Sequence, residues 1–324
     1  MASRDPRILI VPEVGDGMRL DRFLAKRFRD RSRAWCAKGI RDNEVCDAND
    51  RPLRAAHRVR DGDVLHLYLQ GIAPSTSPPP LPPILHEDER LLVVNKPAGL
   101  LTHPAGTNFV WSLIGLLKAR APGEHVNLVH RIDRDTSGVL LVAKDLEADR
   151  FLKEKFFKGE VNKAYDALVR SPVTWDERVV DAPIGAKGEV VRICRAVRDD
   201  GLEAKTSFSV LRRNETLTHI RCQIHTGRTH QIRVHLEHLG LPIVGDRLYG
   251  VPAEVFLRAY DHGVDAFVME QAGAPRQALH ARRLRVEHPD GGLLDVEAPM
   301  PSDMSGWWND PSLLPYGAAG PPIP

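Results

Sequence analysis

The chain reads Val-His-Arg-Ile-Asp-Arg-Asp-Thr-Ser-Gly-Val-Leu-Leu-Val-Ala-Lys over residues 129–144. Its apolar run from Val139 to Ala143 predicts a buried strand, because short continuous apolar segments are typical of strands in a core. The positions before this strand are densely charged. Asp133 lies between two arginines, and nearby cations favour the ionised form of a carboxyl group. The segment therefore predicts a charged carboxylate on a rigid scaffold, although a surface loop with mutual ion pairs would have the same composition.

Length and composition bound the class of protein. The chain has 324 residues, of which 42% are hydrophobic and 27% are charged, so two domains with a real core are possible. No segment approaches the roughly 18 apolar residues that a membrane helix needs, and the first residues lack the apolar stretch of a secretory signal. The four cysteines show no CxxC spacing, which predicts free thiols. We therefore expect a cytoplasmic protein that does not bind a membrane.

A strongly basic segment lies near the N-terminus. Between Arg19 and Arg41 the chain has nine basic residues and two acidic ones, an excess of the kind that binding to a polyanion requires. Apolar residues recur there at helical spacing, which predicts an amphipathic helix with a core face. Ser32 is placed to cap a second helix, and a strand is predicted from Val64 to Leu69. An ordinary solvated helix is the alternative interpretation.

Proline and serine mark the domain boundaries. Residues 71–84 predict a semi-rigid linker, and the tail 302–324 is expected to be largely disordered, with Trp307 and Trp308 as anchors. The elements predicted between them are strands at Leu91–Asn95, Gly138–Ala143, Ala164–Val169, Thr206–Leu211 and Leu217–Ile224, and helices at Val110–Arg120 and Leu146–Lys158. This irregular alternation favours an α+β domain with a mainly antiparallel sheet over strict βαβ order.

Several motifs resemble those of the RluA-type pseudouridine synthases. The charged segment is similar to the signature of that family. The other motifs occur in the family's order, one before this segment at Leu91–Leu101 and four after it at Lys163–Tyr165, Gly227–His235, Gly245–Gly250 and Leu279–Ala281. The resemblance implies a catalytic domain over residues 85–301 with a mixed, mainly antiparallel sheet and a central cleft. Residues 1–70 resemble an S4-like RNA-binding domain, although they lack the glycine that this resemblance leads us to expect before Val45.

The resemblance implies three catalytic residues. Asp133 would act on the ribose of the target uridine, either by attacking C1′ or by removing a neighbouring proton, and both roles use its charged form. Tyr165 would hold the extruded uracil on its aromatic face and help to remove the proton from C5. Arg233 would form a bidentate pair with Asp133 and keep it charged.

Further residues are expected to contact RNA. Arg131 resembles the family's arginine that enters the helix as the target nucleotide leaves, where its planar guanidinium replaces part of the lost stacking. A plain salt bridge to Asp133 or Asp135 is the alternative. Five other residues are assigned to RNA binding: Arg228, His230, Arg19, Arg22 and Arg33.

Residues 226–240 predict a turn into a helix, with Thr226 or Thr229 as its cap and Gly240 as its stop. His225, His230 and His235 recur every five residues. That step spreads side chains around a helix instead of converging them, so we expect no metal site. His230 and Gln231 are interpreted as supports of the site or as phosphate contacts.

The implied reaction converts uridine into pseudouridine by exchanging a C–N for a C–C glycosidic bond on the same ribose. Nothing is oxidised or hydrolysed, so we expect no metal and no redox cofactor, and no GxGxxG or GxxxxGK[ST] motif suggests a nucleotide cofactor. The resemblance implies a structured RNA substrate, with large-subunit ribosomal RNA first and transfer RNA second, and the composition is compatible with a monomer. Two alternatives stay open: an RNA-binding or ribosome-assembly factor without the chemistry, and a glycosidase that releases free uracil.

Overall fold

The computed structural model describes residues 6–28, 32–69, 78–103, 112–170, 173–188, 191 and 193–314. It contains two compact units, Met1–Leu81 with Leu100–Asn127, and Pro82–Gly99 with Leu128–Pro324. This division assigns residues 100–127, which lie within the catalytic domain expected over 85–301, to the unit of the N-terminal residues. Arg29, Arg31 and residues 71–77 of the expected linker lie outside the described residues. In the described ranges, no helix has the length and apolar character that crossing a membrane requires.

The N-terminal unit combines helices with a small antiparallel sheet. Its described helices are α1 (Leu20–Arg27), α2 (Arg33–Arg41) and α3 (Leu113–Arg120), and its strands are β1 (Arg7–Ile10), β2 (Val45–Asp47) and β3 (Val64–Leu67). The strands follow the order β1-β3-β2. The predicted apolar face of α1 is confirmed, since Leu20, Phe23, Leu24 and Phe28 are all buried.

Local capping explains where α2 begins and ends. The Ser32 hydroxyl accepts a hydrogen bond from the backbone N–H of Trp35 at 3.1 Å, which confirms the predicted N-cap. After the helix, Asn43 adopts a left-handed conformation with φ 57°. Asparagine tolerates this region better than most residues, so Asn43 takes the role of the glycine that is missing before Val45.

The larger unit is an α+β domain built on a mixed, mainly antiparallel sheet, as predicted. Its strands are β4 (Ile84–Glu87), β5 (Leu91–Lys96), β7 (Ser137–Ala143), β8 (Asn162–Arg170), β9 (Glu177–Asp181), β12 (Lys205–Arg213), β13 (Leu217–Ile224), β14 (Leu279–Glu287) and β15 (Leu293–Glu297). The order is β4-β5-β7-β14-β8-β13-β12-β9, with β15 on β14. β14 runs parallel to β7. A hairpin of β10 (Ile184–Ala186) and β11 (Arg195–Val197) lies apart, and the short β6 spans Asn127–Leu128 at the unit boundary.

The described helices of the larger unit are α4 (Leu146–Lys158), α5 (Gln231–His238), α6 (Ala253–His262), α7 (Ala266–Ala272) and α8 (Ser302–Asn309). The bounds predicted for α4 are confirmed. The Asp145 carboxylate caps its first turn by accepting from the N–H of Ala148 at 2.8 Å, and Gly159 ends it with φ 74°. Ala148 and Leu152 pack on the fully buried β7. α4 and β7 therefore form the scaffold next to the charged segment.

The expectation that residues 302–324 form a largely disordered tail is partly wrong, because residues 302–309 form the helix α8. Trp307 is buried, and the Arg276 guanidinium lies 5.8 Å from the centre of its ring. Asp303 accepts two hydrogen bonds from Arg276, at 2.6 and 2.8 Å. The expected anchoring is thus confirmed for Trp307, and Trp308 also anchors the helix, since the Arg212 guanidinium lies 4.3 Å from the centre of its ring. Residues 315–324 lie outside the described part of the chain.

Gly138 marks a close approach of two backbones. It has φ 114°, and a Cβ atom there would lie 2.2 Å from the backbone oxygen of Ala281 in the neighbouring strand β14. We expect Gly138→Ala to lower the free energy of unfolding by about 3–5 kcal/mol, because it adds backbone strain to a clash that a side-chain rotation cannot relieve. Urea unfolding measures this loss. Gly240→Ala is the control, since Gly240 has φ 72° and open space around it; equal losses for the two variants would contradict the clash.

Candidate active site

The charged segment lines a cavity of about 250 Å³ in the larger unit. Residues from α4, β8, β13 and β14, from the turn before α5 and from α5 itself complete the wall. Six of the residues predicted from the sequence meet there: Arg131, Asp133, Tyr165, Arg228, His230 and Arg233. The fold therefore brings together positions that are up to a hundred residues apart in the chain.

Asp133 is held in its charged form by Arg233. One Asp133 oxygen, Oδ2, accepts a hydrogen bond from Arg233 Nη1 at 2.8 Å. Burial raises the pKa of Asp133, but the neighbouring Arg233 charge and this hydrogen bond outweigh it and hold the pKa below its ordinary value. The cavity thus contains an ionised, half-buried carboxylate in a fixed direction.

The bidentate partner of Arg233 is Asp246, and the prediction of a bidentate pair with Asp133 was wrong. Arg233 Nε and Nη2 donate to Asp246 Oδ2 and Oδ1 at 2.6 and 2.9 Å. Asp246 Oδ1 also accepts from the backbone N–H groups of Leu248 and Tyr249. Only Nη1 of Arg233 is left for Asp133. Asp246 therefore anchors the buried guanidinium, and Arg233 in turn orients Asp133.

The backbone on the C-terminal side of Asp133 is fixed by three side chains. The buried Lys96 ammonium donates to the carbonyl oxygens of Pro97 and Arg134, at 2.8 and 2.9 Å. Burial lowers the pKa of Lys96 to about 7. Arg276 donates to the carbonyl oxygen of Asp135 at 3.3 Å, and the Asp135 carboxylate pairs with Arg247. The loop therefore has little freedom to move the Asp133 carboxylate.

Tyr165 lies on β8 and lines the same cavity with only 8% of its surface exposed. Burial and the nearby Asp133 charge raise the pKa of its phenol above the ordinary value. The hydroxyl is therefore protonated at neutral pH, and the ring offers an aromatic wall to a ligand.

Arg131 does not form the salt bridge considered as its alternative role. Asp133 pairs with Arg233, and Asp135 pairs with Arg134 and Arg247. Within the described part of the chain, the exposed Arg131 guanidinium makes no hydrogen bond or ion pair. Its charge faces the cavity and is available to a ligand.

The turn before α5 differs from the prediction. The N-cap residue is His230, with φ 59° and no capping hydrogen bond from its side chain, so the expected caps Thr226 and Thr229 were wrong. The Thr226 hydroxyl instead donates to the Gln231 side chain at 2.7 Å. Gln231 is buried and also bonds to the backbone of Arg228 and Lys205, so it holds the turn and does not face a phosphate. The predicted stop at Gly240 is confirmed by its φ of 72°.

The three regularly spaced histidines have different partners. His230 Nδ1 lies 2.8 Å from the Tyr249 hydroxyl, and its Nε2 lies 3.9 Å from Asp133 Oδ1. His225 contacts Ser207, whereas His235 contacts Thr206 and the backbone of Ala182. No group of three or more potential metal-ligating side chains occurs in the described ranges. His230 therefore lies between Tyr249 and Asp133 and lines the cavity next to the Asp133 carboxylate.

The remaining predicted RNA-binding residues are partly committed to other contacts. Arg228 is exposed, and its Nε donates to the backbone oxygen of Glu203 at 2.8 Å. In the N-terminal unit, Arg19 and Arg33 both bond to the buried Asp21 carboxylate. Burial opposes the ionisation of Asp21, but these two arginines lower its pKa to about 2. Arg22 is exposed on α1. Arg19 and Arg33 therefore share one carboxylate, which the charge excess counted from the sequence already includes.

Four largely buried histidines make the larger unit sensitive to acid. Burial lowers the pKa of His130 to about 3 and that of His230 to about 4, and it lowers the pKa of His235 and His280 as well. In the unfolded chain a histidine binds a proton below about pH 6.5. The pKa of each of these histidines is lower in the folded protein than in the unfolded chain. Their contribution to the free energy of unfolding is therefore complete above about pH 6.5 and is lost as the pH falls below it.

We expect the free energy of unfolding to fall between about pH 6.5 and pH 4, by about 1.4 kcal/mol per pH unit for each of His130 and His230. Urea unfolding at pH 7, 6 and 5 measures this slope. His130→Gln keeps an acceptor for the Leu141 N–H, which His130 Nε2 accepts at 3.0 Å, and should make the slope smaller by one such increment. An equal dependence of the unfolding free energy on pH in His130→Gln and in the wild-type protein would show that His130 does not contribute to the acid sensitivity.

Comparison with known proteins assigns the family. Residues 90–238, which include Asp133, Tyr165 and Arg233, match the family model described as RNA pseudouridylate synthase. The chain is 38% identical over 301 residues to "Ribosomal large subunit pseudouridine synthase D" of Xylella fastidiosa, covering 91% of this chain and 89% of the relative. It is 35% identical over 301 residues to "Ribosomal large subunit pseudouridine synthase C" of Vibrio parahaemolyticus, covering 89% and 91%.

Solved structures agree with this assignment. The structure titled "Human RNA Pseudouridylate Synthase Domain Containing 1" matches with 27% identity and a TM-score of 0.53, over 67% of this chain and 82% of the human chain. The motifs, the sheet and the relatives thus lead to the same result. The chain belongs to the RNA pseudouridylate synthase family, whose members are RNA isomerases.

Proposed function

We propose that this protein isomerises specific uridines of large-subunit ribosomal RNA to pseudouridine. The arrangement of Asp133, Arg233 and Tyr165 around one cavity is the observation that carries the proposal. The names of the relatives, which are ribosomal large subunit pseudouridine synthases, support this RNA class. A cytoplasmic location and a monomeric state stay predictions.

Asp133 acts on the ribose of the extruded uridine. The C1′–N1 bond breaks, the uracil turns within the cavity, and C5 bonds to C1′ before the C5 proton leaves. The carboxylate either attacks C1′ and is displaced when C5 bonds there, or takes a neighbouring ribose proton and later returns it. Both routes need the charged form that Arg233 favours. The fixed backbone around Asp133 supports this role, since small displacements of a reacting group are costly for the rate.

Tyr165 holds the detached uracil and takes part in removing the C5 proton. Stacking of a base on an aromatic side chain stabilises it by about 1–3 kcal/mol. Because the raised pKa keeps the phenol protonated, the oxygen accepts a proton only if it passes its own to another base. Asp133 lines the same cavity and is a candidate for that base.

Arg131 takes the place of the extruded base. Extrusion costs a few kcal/mol of unstacking, and a planar guanidinium replaces part of the lost stack. The exposed guanidinium at the wall of the cavity, without a carboxylate partner in the described ranges, supports this role. Arg228 and His230 flank the same cavity, where Arg228 contacts phosphate and His230 supports Asp133.

The N-terminal unit is proposed to be an S4-like RNA-binding domain. Arg22, on the exposed side of α1, contacts phosphate together with the parts of Arg19 and Arg33 that stay exposed. We expect Arg22→Ala to weaken RNA binding and to reduce the slope of log K against log salt by about 0.7–0.9, because one phosphate contact is lost. Lys38→Ala is the control, since Asp42 already neutralises Lys38. An unchanged salt dependence of RNA binding in Arg22→Ala would show that Arg22 does not contact phosphate.

The proposed activity is tested with purified protein and two RNA classes. Large-subunit ribosomal RNA and transfer RNA, both free of pseudouridine, are incubated with the protein and mapped at nucleotide resolution. Pseudouridine at one or a few ribosomal positions is the expected result. Modification of transfer RNA alone would show that transfer RNA, and not ribosomal RNA, is the substrate. Release of free uracil with abasic sites would show that the protein is a glycosidase and not an isomerase. Tight binding without any product would favour a binding factor.

A further inference from the structure

Lys163 is a cation in the wall of the active cavity without a carboxylate partner. It lies on β8 two residues before Tyr165, and side chains two positions apart on a strand point to the same face. Both side chains line the cavity. Within the described ranges, the Lys163 ammonium makes no hydrogen bond or ion pair, and it lies 5.3 Å from the centre of the Phe156 ring.

This position is unfavourable for a charge in the absence of a ligand. Burial lowers the pKa of Lys163, because a shielded ammonium without an anion has lost part of its hydration. Other lysines of this unit are neutralised: Lys155 by Glu160 and Glu287, and Lys187 by Glu237. A shielded charge of this kind in an active cavity is a candidate functional group.

The neighbouring residues keep the lysine at the cavity wall. The Phe156 ring stacks on the His130 imidazole, with 4.8 Å between the ring centres and an angle of 18°. His130 is in turn fixed by the Leu141 N–H. Gly227 also lies next to the ammonium, because a Cβ atom there would lie 3.9 Å from Lys163 Nζ. The ammonium therefore has an aromatic support and a defined location.

The reaction creates a negative charge that needs such a group. When the C1′–N1 bond breaks, its electron pair stays on the uracil and spreads over N1, O2 and O4. The other cations of the cavity are less suited to it. Arg233 is already bound to two carboxylates, and Arg131 and Arg228 are exposed, so that water screens their charges.

We propose that Lys163 is a further catalytic residue, which stabilises the detached uracil anion by donating an N–H to its O2 or O4 oxygen. This inference rests on the proposed function. The electron pair that the C1′–N1 bond leaves behind later forms the C5–C1′ bond, and the C5 proton then leaves to a base. No oxidant, reductant or further reactant is needed, and Lys163 keeps its proton throughout.

Lys163→Met and Lys163→Arg test this role in single-turnover reactions at saturating RNA. Methionine keeps the length of the side chain without its charge, and arginine keeps the charge. We expect Lys163→Met to slow the chemical step by about 10²–10³-fold, as the loss of one donor to a developing anion does, with the RNA affinity unchanged. Lys163→Arg should recover part of the rate. Lys187→Met is the matched control, and thermal unfolding checks that all variants are folded.

Substitution of the target by 5-fluorouridine adds a chemical readout. Fluorine withdraws electrons and stabilises the detached anion without help from the protein. The deficit of Lys163→Met, measured as consumption of the target nucleotide, should therefore be smaller with 5-fluorouridine than with uridine. A purely structural role would give the same deficit with both substrates.

Three outcomes would overturn the proposal. The first is a wild-type rate in Lys163→Met. The second is a loss through weaker RNA binding with a salt slope reduced by about 0.7–0.9, which would make Lys163 a phosphate contact. The third is an equal deficit with uridine and 5-fluorouridine. In all three, wild-type protein still forms pseudouridine; if it forms none with any RNA, the proposed function fails as well.

Discussion

Asp133→Asn is expected to abolish pseudouridine formation while the protein stays folded and binds RNA. Asparagine has nearly the same shape but cannot attack C1′ or accept a ribose proton. Loss of the central group of a catalytic unit lowers rates by about 10⁴-fold or more. The fold should tolerate the change, because Arg233 keeps both hydrogen bonds to Asp246. Single-turnover kinetics and RNA affinity are measured on the same preparations.

Asp135→Asn is the matched control for this variant. Asp135 lies in the same loop and pairs with Arg134 and Arg247 without contacting Arg233. We expect it to lower the rate by no more than about tenfold, because it affects only the position of the loop. If Asp135→Asn were as inactive as Asp133→Asn, or if Asp133→Asn kept more than about one hundredth of the rate, Asp133 would not be the reacting carboxylate.

Asp246→Asn is expected to lower both stability and activity. The Asp246 side chain is fully buried and accepts four hydrogen bonds, two from Arg233 and two from the backbone. The amide NH₂ group of an asparagine at this position would face the N–H donors of Arg233 or of the backbone, and donors cannot bond to each other. Breaking a buried ion pair from one side costs about 3–5 kcal/mol of unfolding free energy. Activity should also fall, since Arg233 would no longer hold Asp133 in one direction.

The control for Asp246 is a similar pair in a more exposed place. Asp303 also forms two hydrogen bonds to an arginine, Arg276, but 39% of its side chain is exposed. Asp303→Asn should cost about 1 kcal/mol or less, because water screens the pair. Urea unfolding compares the two variants. Wild-type stability of Asp246→Asn, or equal losses in both, would show that Asp246 does not anchor the site.

Elements with local signals at both ends could be predicted well from the sequence. α4 combines an apolar periodicity with a capping aspartate, Asp145, and a stop at Gly159, and its predicted bounds agree with the structure. Ser32 likewise capped α2 as expected. The strand Leu217–Ile224 was predicted with its full length, because residues 217–224 contain no glycine or proline that would signal a turn.

Pairings between distant residues could not be predicted in the same way. Arg233 chooses between two carboxylates, and no periodicity shows which of them forms the bidentate pair. A local signal did exist at Asp246, since an aspartate that accepts from the N–H groups two and three positions ahead is typical of a turn. That pattern would have marked Asp246 as a fixed, buried carboxylate.

The C-terminal helix shows tertiary contacts overriding composition. Residues 302–309 contain serine, glycine, asparagine and two tryptophans, which are weak helix formers. The helix α8 nevertheless forms, because Trp307 is buried and Asp303 binds Arg276. The local sequence of residues 100–127 likewise has no signal that would assign them to the unit of the N-terminal residues.

We propose that this chain forms pseudouridine in ribosomal RNA through Asp133. The most direct test maps pseudouridine in RNA from cells that lack the gene and carry either the wild-type protein or Asp133→Asn. We predict that one or a few positions of large-subunit ribosomal RNA lose the modification, and that only the wild-type protein restores them. An unchanged map of large-subunit ribosomal RNA, or full restoration by Asp133→Asn, would contradict the account.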